Sequence, residues 1–413
     1  MDGSRSADSQ GGKQMGRSSR RAALRRLGAG AGAGTLLAMQ GGRAAAWFDD
    51  ATPAATGATP TAAAPAPAES LFYQLGASDP VHFASGAGVQ FARAAEFPAL
   101  SGLSLALFDV DADATREMHW HNNAGELGWV LGGAGQMVII DDAGAPVAFA
   151  LGPGSVFFAP RGLPHAFWTT GQEPLQILLG FDHQQPATID FSQMMPPLPT
   201  TVIAQAAGVA VGDVPAFPTV AKPFAAPVPG GTADLLVAAD DPRATRYTAR
   251  IEDVVEETYA GGARSLVTAV DIQSLTGIKT TRLILKPGAT REPHWHPAMD
   301  EVSFILDGQV EVGIVGPNGA SQTEVLTAGD AAFVPVNWLH FLSNVGEAPA
   351  EVILFHDATT TQAIELSWAL AGFPPAILAA SYGLEPPALA ALGGGQAPRI
   401  AGPPDEGPAG DTP

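Results

Sequence analysis

Three histidines and one glutamate occur twice in this 413-residue chain, with the same spacing each time. The two sets are offset by 175 positions and consist of His119, His121, Glu126 and His165, then of His294, His296, Glu301 and His340. Two histidines separated by one residue on a β-strand point to the same face, because side chains alternate along a strand. A turn-forming stretch before the glutamate lets that residue return toward the same face. The repeat therefore predicts a duplicated domain with one metal site in each copy.

The ligand types limit which metals fit. The chain has no cysteine, so the metal ligands must be nitrogen and oxygen atoms. Neutral imidazole together with carboxylate suits Mn(II), Fe(II), Ni(II), Cu(II) or Zn(II), and an octahedral ion with four protein ligands keeps two positions open for substrate or dioxygen. A single His-x-His pair is equally compatible with a surface strand, but two complete sets in register favour metal sites.

The rest of the pattern predicts an all-β fold. Short apolar runs separated by Gly, Pro and Asp turns occur in both halves, at residues 103–108, 128–131, 137–140 and 155–158, and again at 281–285, 302–306, 310–315 and 331–334. Many short strands at regular spacing predict an antiparallel barrel or jelly roll in each half. Residues 202–208 and the apolar run 376–383 predict short helices that flank the barrels.

The ends of the chain differ in composition from its middle. Residues 1–46 hold eight of the 21 Lys and Arg residues and contain the pair Arg20-Arg21, followed by a Gly/Ala-rich run. This segment predicts a twin-arginine export signal and a periplasmic or extracellular location, with a disordered basic tail as the alternative. Composition then predicts a linker at 47–69, the first domain with its connector at 70–230, the second domain at 231–392 and a disordered tail at 393–413.

Charge argues against two classes of partner. Without residues 1–46 the chain has thirteen basic and 39 acidic residues, which gives a net charge near −26. Such a surface repels nucleic acid and anionic lipid. The Gly/Ala-rich run is too short and too rich in glycine for a membrane anchor, so stable membrane insertion is not expected. An anionic substrate would need a positive charge inside its pocket.

The motifs around the ligands resemble those of bicupins, which consist of two tandem cupin barrels. The second copy contains Gly288-x5-His294-x-His296-x4-Glu301-x6-Gly308 and Gly329-x5-Pro335-x-Asn337-x2-His340-x3-Asn344, which fit the two cupin motifs. Asn337 stands where glycine is usual, and asparagine tolerates the left-handed conformation. The first copy departs at Asp113 and Thr169, neither of which is a ligand. The resemblance implies a double-stranded β-helix, or jelly roll, in each half.

Among bicupins the chain is most similar to the oxalate decarboxylase family. The similarity spans about residues 75–390 and is carried by Arg116-Glu117-Met118-His119-Trp120-His121, by the segment 286–297, by Gly162-Leu163-Pro164-His165 and by Ile364-Glu365-Leu366-Ser367. The resemblance implies one Mn(II) per domain, dioxygen as a co-catalyst, and decarboxylation of oxalate to formate and CO2. It also implies a homo-oligomer of bicupins, although exported members can be monomeric.

The resemblance gives two arginines a role in binding substrate. Arg116 and Arg291 occupy the positions of the family's substrate arginines, and a guanidinium offers a charged, planar fork to a carboxylate. Because the separation between each arginine and the next histidine is odd, a regular strand would point the arginine outward. An irregularity in the strand is therefore required. Pro293 favours one in the second copy, and the first copy has no comparable residue.

One residue that the resemblance implies is missing. The family's proton donor is a glutamate on a lid after the strand that ends here near Asp182, but residues 183–188 contain no glutamate, and neither do residues 357–362. Asp182, His183 or Asp190 could replace that acid, although we prefer a structural role for these residues and for His356. Without a proton donor the alternative is an oxalate oxidase, which yields CO2 and hydrogen peroxide.

Two further classes of protein share the scaffold. A non-enzymatic metal-binding or storage cupin is one alternative, but such proteins usually lose their ligands. A cupin dioxygenase that acts on an aromatic substrate is the other, and it has no need of paired arginines. Both copies in this chain keep the four ligands and the arginine.

Overall fold

The structure, a computed structural model, describes residues 69–83, 86–219, 225–232, 235, 241–358, 362–393 and 399–403. The predicted export signal and all but the last residue of the predicted linker lie outside these residues. None of the helices in the described ranges is both long and apolar enough to cross a membrane.

The described chain folds into two barrels, each made of two antiparallel sheets. The first strand, β1 (Phe72–Tyr73), belongs to the second barrel. The strands of the first barrel are β2 (Val81–Phe83), β3 (Ala87–Ala92), β4 (Ser104–Val110), β5 (Ala114–His121), β6 (Glu126–Gly132), β7 (Gly135–Ile140), β8 (Pro146–Leu151), β9 (Ser155–Ala159), β10 (His165–Thr169), β11 (Leu175–Phe181), β12 (Thr188–Asp190), β13 (Ala225–Pro227) and β14 (Thr248–Arg250). One sheet has the order β14-β9-β6-β11-β4-β3-β2, and the other has the order β12-β5-β10-β7-β8, with β13 also paired to β5.

The second barrel repeats this arrangement. Its strands after β1 are β15 (Glu256–Tyr259), β16 (Gly262–Val267), β17 (Lys279–Leu285), β18 (Thr290–Trp295), β19 (Glu301–Asp307), β20 (Gln309–Val315), β21 (Ser321–Thr327), β22 (Ala331–Val334), β23 (Leu339–Asn344), β24 (Ala350–His356), β25 (Ile364–Glu365) and β26 (Ile400–Ala401). The sheet orders are β1-β22-β19-β24-β17-β16-β15 and β21-β20-β23-β18-β25, with β26 also paired to β18. The predicted all-β fold with two tandem jelly-roll barrels is confirmed, and each of the eight predicted runs overlaps an observed strand.

Strands at the junction of the two barrels are buried on both faces. In β4, Leu105 packs in a core that includes residues of the second barrel, whereas Ala106 and Phe108 pack inside the first barrel. The indole Nε1 of Trp129 also crosses the junction and donates to Thr280 Oγ1 at 2.8 Å. Burial on both faces explains why these strands are continuous apolar runs in the sequence rather than alternating ones.

The barrels exchange one strand each. Strand β1 pairs with β22 of the second barrel, whereas β14, which follows the connector, pairs with β9 of the first barrel. The two exchanged strands are counterparts in the repeat, because Tyr73 and Thr248 are 175 positions apart. The predicted boundary near residue 230 therefore separates the two repeats along the sequence. In the structure each barrel also contains one strand from the other repeat.

The prediction that the whole tail is disordered is wrong for its middle. Strand β26 pairs with Thr290 and Arg291 of β18, and the Ile400 side chain is fully buried in the core. Its counterpart in the repeat is β13 in the connector, which pairs with β5 in the same way. The composition of the tail is polar and rich in glycine, but burial of one isoleucine and pairing of its backbone offset the cost of ordering this short segment.

Short helices flank the barrels, as predicted. They are α1 (Phe191–Met194), α2 (Thr200–Ala207), α3 (Leu366–Gly372) and α4 (Pro375–Ala380). Helix α2 ends at Gly208, which has a φ of 69° and so provides the left-handed residue that commonly closes a helix. Helix α1 lies against β5 and β12, and α3 lies against β18 and β25, so each helix contacts a strand that carries a histidine ligand.

Two departures from the cupin motifs lie at left-handed positions of the backbone. Asn337 has a φ of 67° and its counterpart Gly162 a φ of 81°, which confirms the expectation for asparagine at this turn. Asp113 has a φ of 55° where the second copy has Gly288. Its Oδ1 accepts a hydrogen bond from the backbone N–H of Thr232 at 2.9 Å, which stabilises this uncommon conformation.

We predict that replacing Ile400 with alanine destabilises the protein by about 2 to 5 kcal/mol, because the change removes fully buried methyl groups. The measurement is the free energy of unfolding in a denaturant titration. The matched control is Val270→Ala, since Val270 is 90% exposed and its loss should cost under about 0.5 kcal/mol. Equal effects of the two substitutions would show that β26 is not part of the folded barrel.

Candidate metal centres

The first set of ligands meets inside the first barrel. His119 and His121 lie on β5, Glu126 begins β6 and His165 begins β10. One ligand atom from each residue lies within 4.8 Å of the others, and all four side chains are buried. Glu126 Oε2 lies 2.8 Å from His121 Nε2 and 3.5 Å from His165 Nε2. The sequence repeat thus corresponds to a compact set of three imidazoles and one carboxylate.

The second set has the same arrangement in the second barrel. His294 lies on β18, His296 follows that strand, Glu301 begins β19 and His340 lies on β23. Their ligand atoms again lie within 4.8 Å of one another, and all four residues are buried. Glu301 Oε2 lies 3.0 Å from His296 Nε2 and 3.5 Å from His340 Nε2.

The hydrogen bonds around the ligands fit a metal ion. The backbone carbonyl of Glu117 lies 2.8 Å from His119 Nδ1, and that of Leu163 lies 2.9 Å from His165 Nδ1, which directs the Nε2 atoms toward the centre. Within the described residues, the buried atoms His165 Nε2, His340 Nε2 and Glu126 Oε1 have no hydrogen-bond partner. Buried polar atoms that lack partners are rare in proteins, and a metal ion would satisfy all of these.

His119, His294 and Glu126 are in the protonation states that a metal requires. Burial holds the pKa of His119 and of His294 well below the ordinary histidine value, so both rings are neutral. Burial alone would raise the pKa of Glu126, but the three histidines around its carboxylate hold it well below the usual range. Neutral imidazole and ionised carboxylate are the forms that bind metals.

Each arginine is turned inward by an irregular strand. The pairing of β5 with β10 shifts register between His165 and Phe167, and β18 shifts against β23 between Arg291 and His294. A β-bulge of this kind changes which face the following side chains occupy. Arg116 is therefore buried in the same barrel as the ligands even though the first copy has no proline at this position.

Both arginines form ion pairs with a buried carboxylate, a pairing that was not predicted from the sequence. Arg116 lies 2.8 Å from Asp190, and Arg291 lies 2.6 and 3.0 Å from the two carboxylate oxygens of Glu365. Asp190 and Glu365 are themselves offset by 175 positions, so the repeat contains the signal that would have revealed them. Each carboxylate orients its arginine beside the metal ligands.

The cavities at the two centres differ in size and lining. The cavity of the first barrel has a volume of about 80 Å³, and aromatic rings such as those of Phe91, Phe108 and Phe181 form much of its wall. The cavity of the second barrel has a volume of about 500 Å³ and is also lined by Arg264 and Arg399. Arg116 and Arg291 line their respective cavities.

The alternative acids lie away from the first cavity or are already paired. Asp182 Oδ1 accepts a hydrogen bond from the backbone N–H of Gly125 at 2.6 Å, and burial raises the pKa of Asp182. His183 Nδ1 lies 3.0 Å from the backbone N–H of Gln185, which supports a structural role in this loop. Asp190 pairs with Arg116.

Our structural interpretation of His356 was incomplete. Its Nε2 lies 2.9 Å from Glu301 Oε2, so it contacts a candidate metal ligand directly. The sequence did not indicate this contact, because the corresponding position in the first copy is Phe181.

Two jelly-roll barrels, each with three histidines and a glutamate at its centre, define a bicupin. The family model described as Cupin matches residues 73–214 and 256–389, and the chain therefore belongs to the cupin family.

Within this family the chain is similar to proteins named for their action on oxalate. Oxalate decarboxylase OxdC of Bacillus subtilis is 26% identical over 259 residues, which cover 62% of this chain and 67% of that protein. A solved structure concerned with the Mn(II) centres of Bacillus subtilis oxalate decarboxylase has a TM-score of 0.70 and 22% identity, and covers 81% of this chain and 89% of its own. Oxalate oxidase GF-3.8 of Triticum aestivum is 29% identical over 104 residues, which cover 24% of this chain and 46% of that protein.

We predict that the metal-free protein loses stability as the pH falls below about 6.5, the ordinary pKa of histidine. The folded-state pKa of His119 and His294 is lowered, so in this range the unfolded chain binds more protons than the folded one. This contribution to stability is complete above pH 6.5 and declines as the pH approaches the folded-state values. The thermal unfolding midpoint of metal-free protein at pH 7.5 and 5.5 measures it, and a midpoint that rises toward acid would contradict the assignment of neutral, buried histidines.

Proposed function

We propose that this chain is a Mn(II)-dependent enzyme that decarboxylates oxalate to formate and CO2. The observation that carries the proposal is the placement of a buried arginine and a three-histidine, one-glutamate centre on the wall of the same cavity, in both barrels. A cation and a metal side by side suit a small dicarboxylate, which has two negative ends. The relationship to oxalate decarboxylase supports the choice of substrate and of manganese.

Several features of the chain would serve this reaction. Bound Mn(II) would supply open coordination positions and one-electron chemistry. Arg116 would hold the end of oxalate that is not on the metal, and Asp190 at 2.8 Å would keep its guanidinium in place. The aromatic wall of the first cavity would exclude water, and a volume of about 80 Å³ favours oxalate over an aromatic substrate.

A second candidate is oxidation of oxalate to CO2 and hydrogen peroxide. Decarboxylation ends with delivery of a proton to the carbon that becomes formate, which requires a nearby acid. Among the described residues that line the first cavity, the only carboxylic acid is the ligand Glu126. In the second cavity Glu257 is present, but it forms a 2.8 Å ion pair with Arg264, and its pKa is lowered although burial would raise it. This lack of a placed acid favours the oxidase alternative.

The products distinguish the two reactions. Metal-loaded protein is incubated with oxalate under oxygen, and formate, CO2 and hydrogen peroxide are each quantified. We expect one formate per CO2 and little peroxide. Peroxide without formate would establish the oxidase, and oxalate left unchanged by fully loaded protein would favour a binding or storage function.

We predict that Arg116→Lys or Arg291→Lys lowers oxalate turnover about 100-fold in the barrel concerned, while the metal content stays at the wild-type value. Lysine keeps the positive charge beside Asp190 or Glu365 but loses the planar fork of donors. Steady-state kinetics together with metal analysis of each variant measure the effect. The two substitutions are matched controls for each other, so the variant that loses turnover identifies the active barrel. Unchanged kinetics in both variants would remove the arginines from the proposal.

We propose further that the protein is exported in folded form through the twin-arginine route. The support is the Arg20-Arg21 pair and the Gly/Ala-rich run that follows it. We predict that Arg20→Lys with Arg21→Lys retains the protein in the cytoplasm, whereas Arg5→Lys with Arg17→Lys, which changes two arginines outside the pair, does not. Cell fractionation followed by immunodetection measures this, and export of the first double variant would contradict the proposal.

A further inference from the structure

The glutamates of the two centres have different hydrogen-bond partners. Glu126 Oε2 lies among the ligand histidines, and its other oxygen, Oε1, is buried without a hydrogen-bond partner in the described part of the chain. Glu301 has two additional partners outside the ligand set. Its Oε1 accepts from Ser303 Oγ at 2.9 Å, and its Oε2 lies 2.9 Å from His356 Nε2. The carboxylate of the second barrel is therefore fixed at both oxygens.

The hydrogen bond from Ser303 is possible only in the second barrel, because the sizes of two facing side chains differ between the barrels. The counterpart of Ser303 is Gly128, and a Cβ atom at Gly128 would overlap the ring of Phe157, which lies opposite it. In the second barrel Ser303 lies opposite Ala332, the counterpart of Phe157. The smaller alanine leaves room for the serine hydroxyl beside Glu301. The first barrel excludes such a hydroxyl by its packing.

The second difference occurs at one position with the same register in both barrels. His356 lies opposite Glu301 on the neighbouring strand, as Phe181 lies opposite Glu126. Each ring packs edge-on against the second ligand histidine, with centroids 4.9 Å apart for His356 and 5.1 Å apart for Phe181. The backbone and the ring position are thus shared, and only the histidine offers a nitrogen to the carboxylate.

We infer that Ser303 and His356 are positioning residues that fix Glu301, so that the second centre binds Mn(II) more tightly than the first. Partners that hydrogen-bond a ligating carboxylate orient it before the metal arrives, and their removal typically weakens metal binding about 10- to 100-fold. Among the described residues Glu126 has no such partner, so the protein orients its carboxylate less firmly. His356 donates a hydrogen bond to Glu301 when the ring hydrogen is on Nε2. In this tautomer Nδ1 carries no hydrogen. This inference concerns metal binding and goes beyond the proposed turnover of oxalate.

The affinity of each centre can be measured in isolation. His165→Ala leaves only the second centre intact, and His340→Ala leaves only the first. We expect Mn(II), titrated in competition with a chelator, to bind the His165→Ala protein about 10- to 100-fold more tightly than the His340→Ala protein. Circular dichroism of each variant verifies that the barrels remain folded.

Substitutions at the positioning residues are then made in the His165→Ala protein. His356→Phe recreates the first barrel and should weaken Mn(II) binding about 10-fold or more. Ser303→Ala, which removes a single oxygen atom, should weaken it in the same direction, whereas His356→Gln retains an N–H donor and should preserve most of the affinity. The zero-field splitting in the Mn(II) EPR spectrum should change with His356→Phe and stay close to its original value with His356→Gln.

The reciprocal substitution Phe181→His in the His340→Ala protein should tighten Mn(II) binding at the first centre. The inference is overturned if the first centre binds Mn(II) as tightly as the second. It is also overturned if His356→Phe and Ser303→Ala leave both the affinity and the EPR splitting unchanged. Oxalate turnover is not part of this readout, so failure of the proposed reaction and failure of this inference are distinguishable.

Discussion

The burial of three imidazoles and a carboxylate at the centre of each barrel is the constraint on which the rest of the structure depends. These groups lose contact with water when the barrel closes, and several of their polar atoms find no partner in the described protein. Such a cluster is costly unless an ion completes it. The bulges in β5 and β18 turn Arg116 and Arg291 into the barrel interiors. Buried carboxylates then hold each arginine beside the ligands of its centre.

Because the domain is duplicated, one molecule contains two such clusters, and the residues around the two clusters differ. The same backbone positions carry Gly128 and Phe181 in one barrel and Ser303 and His356 in the other. One centre lies in a small aromatic cavity, and the other lies in a larger cavity with more charged residues. The barrels remain bound to each other through a common core and through the exchange of β1 and β14.

Much of the fold and of the ligand set follows from the sequence, because the repeat fixes the register of the ligands and the turn residues fix the ends of the strands. Contacts between distant segments do not follow in the same way. The pairing of Arg116 with Asp190 joins residues 74 positions apart. Residues 400 and 401 form a strand because Ile400 is buried and their backbone pairs with β18, more than 100 positions earlier in the chain. The local composition of the tail does not reveal this contact. The contact of His356 with Glu301 was not predicted, because the first copy has Phe181 at the corresponding position.

The metal content of the purified, manganese-loaded protein tests the central claim most directly. Elemental analysis after removal of loosely bound ions should give two metal ions per chain, one for each set of three histidines and a glutamate. A chain that remains folded and binds no metal ion would contradict the account, because the buried ligands would then be satisfied in some other way.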